Sequence, residues 1–253
     1  MNVGWHIMVL LGLLLPVVAA WWIVARLGRA HTGTDAPTPR ILSVTLFLSA
    51  AWAGISAIGA IITVVLALLP DQPATVTIAV APFWPTPLPG VTVDGPTADV
   101  VSGGLTSAQV TATGLSVAAR VLLALGNALI ALVSAAVAAL IAVICFQLIR
   151  GAAFRSVIVR AASFTAAVCL VGGLGAQIFD AVGGSIAGRE ILEITGASWT
   201  GYPDGFNPID ALPRPATSWN IDFWPIGAAL GFAALAAVFR YGSVLQKDTE
   251  GLV

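Results

Sequence analysis

Residues 150–160 read Arg-Gly-Ala-Ala-Phe-Arg-Ser-Val-Ile-Val-Arg and separate two long apolar runs of the chain. The stretch contains three arginines and no acidic residue. Arginines that flank an apolar membrane-spanning segment favour the cytoplasmic side of the membrane. We therefore predict that this basic turn lies inside the cell and fixes the orientation of the runs on either side.

The composition is typical of an integral membrane protein. Hydrophobic residues make up 58% of the chain and charged residues 9%, whereas about a quarter of the residues in a soluble domain are charged. Both cysteines, Cys145 and Cys169, lie inside apolar runs, so we expect no disulfide framework outside the membrane. The predicted fold class is an all-α, multi-pass protein of the plasma membrane.

Five apolar runs are long enough to cross a ~30 Å hydrocarbon core, which takes about 20 helical residues. The predicted helices cover about 5–24, 41–69, 115–148, 161–191 and 223–239. Residues 1–253 together are predicted to form a single membrane domain. No basic residue precedes the first run, which favours a retained helix over a cleaved signal peptide.

The basic residues are distributed as a five-helix topology requires. Eight of the eleven fall on the side of the basic turn: Arg26, Arg29, Arg40, Arg150, Arg155, Arg160, Arg240 and Lys247. The remaining three are Arg120, Arg189 and Arg214. The predicted N-terminus is therefore outside and the C-terminus inside.

Two loops, 70–114 and 192–222, fall on the outside in this topology. Residues 74–80 and 109–113 have the β-branched, alternating character of short strands. Shorter strand-like pieces occur at 192–195 and 219–221. We expect the two loops to form one small β-rich cap.

Four polar residues inside the predicted helices form a candidate intramembrane polar cluster. Arg120 and Asn127 are seven residues apart, and Gln177 and Asp180 are three apart, so each pair shares a helix face. Because ionisable residues in membrane helices are normally paired, we predict an ion pair between Arg120 and Asp180. Three interpretations stay open: a pocket for a ligand or ion, a structural clasp, or side chains that each extend to water.

Small residues at helical spacing predict close helix packing. Gly227 and Gly231 form a Gly-x-x-x-Gly pair in the last run. Gly172, Gly173 and Gly175 lie in the middle of the fourth run, where helix packing is favoured over phosphate binding.

Signatures of catalysis and of cofactor or metal binding are missing. The two histidines, His6 and His31, do not lie at metal-ligand spacing from each other or from a cysteine. No glycine-rich phosphate loop precedes the single lysine, Lys247. We therefore expect no enzymatic activity, catalytic residues, cofactor, bound metal or direct nucleic-acid binding.

The C-terminal part of the chain resembles the DUF2975 family of small bacterial membrane proteins. The resemblance rests on the turn Leu148–Phe154, the helical hairpin around it and the closing segment Val238–Val253, and it covers residues from about Ile41 onward. The helix at 5–24 would be an addition to the family pattern, and the long Pro-rich outside loops suggest an actinobacterial version. The resemblance implies no enzymatic activity and a small helix-turn-helix regulator as the cytoplasmic partner.

Three functional hypotheses follow. The first is a membrane protein that contacts a cytoplasmic partner through Arg150, Arg155, Arg160, Arg240 and Lys247. The second is an accessory subunit of a transporter or other membrane complex, and the third is a transporter or channel that uses the polar cluster. Anionic lipid head groups are an alternative partner for the same arginines.

Overall fold

A computed structural model describes residues 38–69, 72–85, 95, 97–98, 100–151, 156–198, 200 and 207–250. Four long helices fall within these ranges, namely α1 (Thr38–Leu68), α2 (Val117–Ile149), α3 (Ser156–Leu192) and α4 (Trp224–Glu250). All four are long and apolar enough to cross a membrane. These spans confirm four of the predicted runs and are consistent with a multi-pass membrane protein. The predicted helix at 5–24 lies outside the described residues.

The basic turn is shorter than the sequence suggests. α2 ends at Ile149, and Gly151 follows with a φ of 67°. This left-handed conformation ends helices at little cost when the residue is glycine. α3 already begins at Ser156, so Arg160 lies in its second turn and not in the connection.

α4 is longer than predicted, because it continues to Glu250 instead of ending near 239. The end of an apolar run is not the end of a helix: the residues after Arg240 include no proline, and several of them are good helix formers. At 1.5 Å per residue, 27 residues span ~40 Å, about 10 Å more than the hydrocarbon core.

Between α1 and α2 the chain forms an antiparallel β-hairpin of β1 (Ala74–Phe83) and β2 (Leu105–Ala112). The register runs from Ala74↔Ala112 to Ala79↔Ser107, and pairing resumes at Phe83↔Leu105 after a bulge. A Cβ on Gly104 would lie 2.7 Å from the backbone N of Phe83, so only glycine fits beside the resumed pair. Both predicted strands of this loop are confirmed, although β1 continues to Phe83 and β2 begins at Leu105 and ends at Ala112, one residue before the predicted end.

The second loop joins the hairpin at a point the sequence did not predict. Pro215 forms an isolated antiparallel bridge with Val80. Ala81 N donates to Arg214 O at 2.9 Å, and Ala216 N donates to Ala79 O at 3.1 Å. The predictions of strands at 192–195 and 219–221 are wrong, because Leu192 ends α3 and the other residues have no strand pairing.

The chain divides into two compact units. Of the described residues, those within 38–63, 127–176 and 222–250 form the helical unit, and those within 64–126 and 177–221 form the hairpin unit. A buried cluster of Leu140, Ala162 and Ala236 lies in the helical unit.

The core of the hairpin unit forms where one face of the hairpin meets two helices. Val76, Ile78 and Val80 alternate along β1 and are buried against Leu115, Ala119 and Ala187. Burial of such a side chain contributes about 1.5–3 kcal/mol. This face therefore holds the hairpin against the ends of α2 and α3.

Candidate functional site

Two contacts within the helical unit fix how α3 and α4 run against each other. A Cβ on Gly173 would lie 2.7 Å from Cβ of Pro225, which places the start of α4 beside Gly173. Eleven residues on, Ala236 packs in one cluster with Ala162. The two helices are therefore antiparallel, and Arg240 lies one turn beyond that cluster, level with the beginning of α3.

Arg160 and Arg150 lie at the same end of the helical unit. Arg160 precedes Ala162 by two residues, and α2 runs from Leu140 in the same cluster toward Arg150 at its C-terminus. The guanidinium of Arg150, just after the end of α2, lies 4.1 Å from the centre of the Phe146 ring in a cation–π contact.

α1 brings a fourth arginine to this end. Trp52 Nε1 donates to Ser134 Oγ at 2.9 Å, and this bond fixes the position of α1 along the axis of α2. Leu48 and Ile141 line one groove, so α1 runs antiparallel to α2. Arg40, three turns before Trp52, is therefore level with the last turns of α2.

Together these four residues form what we call the arginine end of the helical unit: Arg40, Arg150, Arg160 and Arg240. All four are exposed. α1, α2 and residues 156–176 of α3 contain no acidic residue, and the acidic residues of α4, Asp248 and Glu250, follow Arg240 by two turns or more. Of the predicted contact residues, Arg155 lies outside the described residues, and Lys247 lies in α4 with a side chain that is not described.

Gln147 is a buried polar residue near the arginine end that the sequence analysis missed. Its side chain is 7% exposed, and its Oε1 has no hydrogen-bond partner. It follows Leu140 by seven residues and Ile144 by three, which places it on the packed face of α2. That spacing is a signal the sequence carries, because a polar residue in register with core positions is predicted to be buried.

The predicted ion pair between Arg120 and Asp180 is not formed in the part of the chain that the structure describes. Nη1 of Arg120 donates instead to the backbone oxygen of Leu69, just after the last residue of α1. The physical reason is the helix end, where carbonyl groups lack intrahelical donors and attract a cation. Arg120 therefore acts as a C-terminal cap for α1.

The rest of the predicted polar cluster is spread over different environments. Asn127 and Asp180 are exposed, whereas Gln177 is half-buried. Arg120 is half-buried, and its Nε has no partner. The candidate polar cluster of these four residues therefore stays a prediction.

A second helix cap joins residues that the sequence analysis did not connect. Oε2 of Glu190 accepts from the backbone N of Ser116 at 2.9 Å. The Ser116 hydroxyl also accepts from Ala119 N at 3.3 Å, so the start of α2 is capped twice. Serine before a helix is a recognisable sequence signal, but Glu190 is 74 residues away and no local pattern could reveal it.

The glycines in the middle of α3 are closely packed, whereas the glycine pair of α4 is not. A Cβ on Gly172 would lie 3.0 Å from Val133 Cγ2, and one on Gly175 would lie 3.2 Å from Leu129 Cδ1, so the predicted packing of this run is confirmed. Gly227 and Gly231 are exposed, and a Cβ on either would have no atom within 4 Å. They make no close helix contact with the part of the chain that the structure describes.

Comparison of the chain with family models, with characterised proteins and with solved structures finds no match. The resemblance to DUF2975 accordingly stays a prediction.

Proposed function

We propose that this chain is a non-enzymatic, multi-pass protein of the plasma membrane that binds a cytoplasmic protein at its arginine end. The observation that carries the proposal is the collection of four exposed arginines at one end of the helical unit, three of them in α1, α3 and α4 and the fourth, Arg150, directly after α2. Under the positive-inside rule this end faces the cytoplasm. The arrangement offers guanidinium groups to an acidic surface.

The length of α4 favours a protein partner over lipid head groups alone. The helix continues for ten residues past Arg240, so it extends ~15 Å beyond that arginine. Its exposed side chains there include Tyr241, at 69%, and Val244, at 50%. Arginine and tyrosine are among the residues most enriched at protein interfaces.

Site-specific crosslinking in intact cells tests the proposal. A photoreactive amino acid at position 241 or 244 should give a discrete adduct with a cytosolic protein. The same group at Val171, which is 71% exposed within α3, is the matched control and should give lipid adducts only. If positions 241 and 244 give the same adducts as Val171, no protein docks at the arginine end.

Charge-conserving substitutions separate recognition from topology. Arg150→Lys and Arg240→Lys keep the positive charge that orients the helices, but they remove the planar fork that binds carboxylates in a bidentate manner. We expect these variants to insert normally and to lose most of the adduct. An unchanged adduct yield would indicate that the positive charge, and not the shape of the guanidinium group, is recognised, which is how anionic lipid head groups interact with basic residues.

A second candidate function is an accessory subunit of a membrane complex. The exposed Gly227 and Gly231, with no atom of the described chain near their Cβ positions, favour it, because such pairs let a foreign helix approach closely. Purification in mild detergent distinguishes the two functions. A stable stoichiometric membrane subunit that Gly227→Leu removes would support the second function, and a chain that runs alone would count against it.

A further inference from the structure

The hairpin unit has one strand edge that no described residue covers. The described sheet has two strands, so β2 has β1 as its only strand neighbour there. β1 is covered further, by the bridge from Pro215 and by the side of α3. The open edge of the hairpin is therefore the outer edge of β2.

Contacts on β1 show which groups of β2 face that edge. Ala79 O accepts from Ala216 N, and Thr77 O points at α3, where it would lie 3.0 Å from a Cβ on Gly184. Residues 77 and 79 thus turn their backbone groups away from β2. In an antiparallel ladder their partners, Gln109 and Ser107, likewise turn their backbone groups away from β1.

The cross-strand pair of Thr75 and Thr111 supports this assignment. Their hydroxyl oxygens lie 3.0 Å apart, and side chains approach more closely in pairs that exchange no backbone hydrogen bonds. By alternation, Ser107, Gln109 and Thr111 present their N–H and C=O groups at the outer edge. The edge then offers three donors and three acceptors at two-residue spacing.

In the described part of the hairpin unit, this edge lacks the features that normally keep strand edges from pairing. β2 reads Leu-Thr-Ser-Ala-Gln-Val-Thr-Ala, without a charged residue or a proline. Proteins usually blunt an exposed edge with lysine, with proline or with a bulge that twists it away. The one bulge in this hairpin follows Ala79, beyond the pairs that place Gln109 and Thr111.

We propose that the outer edge of β2 binds an extended, uncharged segment of another protein as a third strand. Only an extended backbone supplies complementary donors and acceptors at the spacing of Ser107, Gln109 and Thr111, and such strand addition is a recurrent mode of peptide recognition. Side chains of the added strand would alternate between solvent and the face that carries Ala108 and Val110. This site lies wholly in the hairpin unit, and it does not rest on the function proposed for the arginine end.

The geometry disfavours a second copy of the chain as the occupant. β1 runs alongside α3, since Thr77 lies at Gly184 and Ile78 lies at Gly188, one helical turn later. A two-fold axis that pairs β2 with its own copy is perpendicular to the strands. Such an axis reverses the direction of the strands in the second copy. Because α3 runs alongside the hairpin, the helices of the second copy would then cross the membrane in the opposite direction.

A peptide with the sequence of residues 75–80, flanked by lysines and labelled with a fluorophore, is a suitable probe. We expect it to bind the full-length chain in mild detergent with saturable anisotropy. Backbone amides of Ser107, Gln109 and Thr111 should exchange at least tenfold more slowly in its presence. Amides of Ala108 and Val110, which pair with β1, should not change, and a probe with prolines at alternate positions should not bind.

Variants localise the binding to the edge. Gln109→Pro removes one outer N–H without removing a bond to β1, and it should weaken binding at least tenfold. Thr75→Pro is the matched control, because its N–H also lies outside the ladder, and it should stay within twofold of the parent. Equal losses in both variants, or no slowing of the three amides in the parent chain, would overturn the proposal. Protection of those amides before peptide is added would overturn it as well, because the edge would then already be covered.

Discussion

Gly173 of α3 and Pro225 of α4 lie so close that a Cβ on the glycine would be 2.7 Å from Cβ of the proline. Pro225 is buried and stands in the first turn of α4, where a proline sacrifices no helical hydrogen bond. The contact therefore places the start of α4, and it contributes to bringing Arg240 to the same end as Arg160.

We expect Gly173→Ala to destabilise the protein, although alanine is the better helix former. The added methyl must displace the proline ring, and overpacking of this kind costs about 1–3 kcal/mol, more than the 0.5–1 kcal/mol that replacing a helical glycine gains. Gly227→Ala, where a Cβ has open space, is the control and should be neutral or stabilising. Thermal unfolding in mild detergent measures both, and equal midpoints would contradict the proposed packing.

Arg120→Gln should destabilise the protein by about 1 kcal/mol, because the cap on the Leu69 carbonyl is lost. Asp180→Asn should change the stability by less than about 0.5 kcal/mol, as expected for an exposed group. The double variant should show additive effects. A coupling energy above about 0.5 kcal/mol in this cycle would restore the ion pair that the structure lacks.

Glu190→Gln should weaken the start of α2, because a carboxylate at a helix N-terminus contributes about 0.3–1 kcal/mol. Amide exchange at Ser116 and the first turn of the helix should become faster. Glu193→Gln, an exposed acid just after the end of α3, is the matched control and should leave this exchange unchanged. Identical exchange in the two variants would argue against the cap.

Trp52→Phe and Ser134→Ala each remove one partner of an interhelical hydrogen bond between α1 and α2. Bonds of this kind in membrane proteins contribute about 0.6 kcal/mol on average. We expect a double-mutant cycle in detergent to give a coupling of that size. Strict additivity of the two stability changes would mean that the hydrogen bond of the Trp52 indole does not fix the position of α1 along α2.

The sequence predicted the helices of this fold better than their ends. Apolar runs mark membrane spans, so the four described helices could be found from composition alone. The end of α4 could not, because Arg240 closes the apolar run while the helix continues to Glu250. Hydropathy measures transfer into lipid, whereas helix ends depend on backbone capping.

The candidate site was predictable only in part. Charge asymmetry identified the side on which Arg150, Arg160 and Arg240 gather, but the contact of Ala236 with Ala162 was needed to place them at one level. The ion pair of Arg120 was mispredicted, because helix spacing shows which residues share a face and not what the facing element offers. In this structure Arg120 donates to the backbone carbonyl of Leu69 at the end of α1, and the spacing of residues along α2 and α3 could not predict that acceptor.

Labelling of single cysteines in intact cells tests most directly whether the arginine end is cytoplasmic and the hairpin outside. In a chain with Cys145→Ala and Cys169→Ala, new cysteines at the exposed positions Thr111 and Tyr241 report on the two units separately. We predict that a membrane-impermeant maleimide labels Thr111→Cys in intact cells and Tyr241→Cys only after the membrane is permeabilised. Labelling of Tyr241→Cys in intact cells, with Thr111→Cys protected, would contradict the orientation on which the proposed function depends.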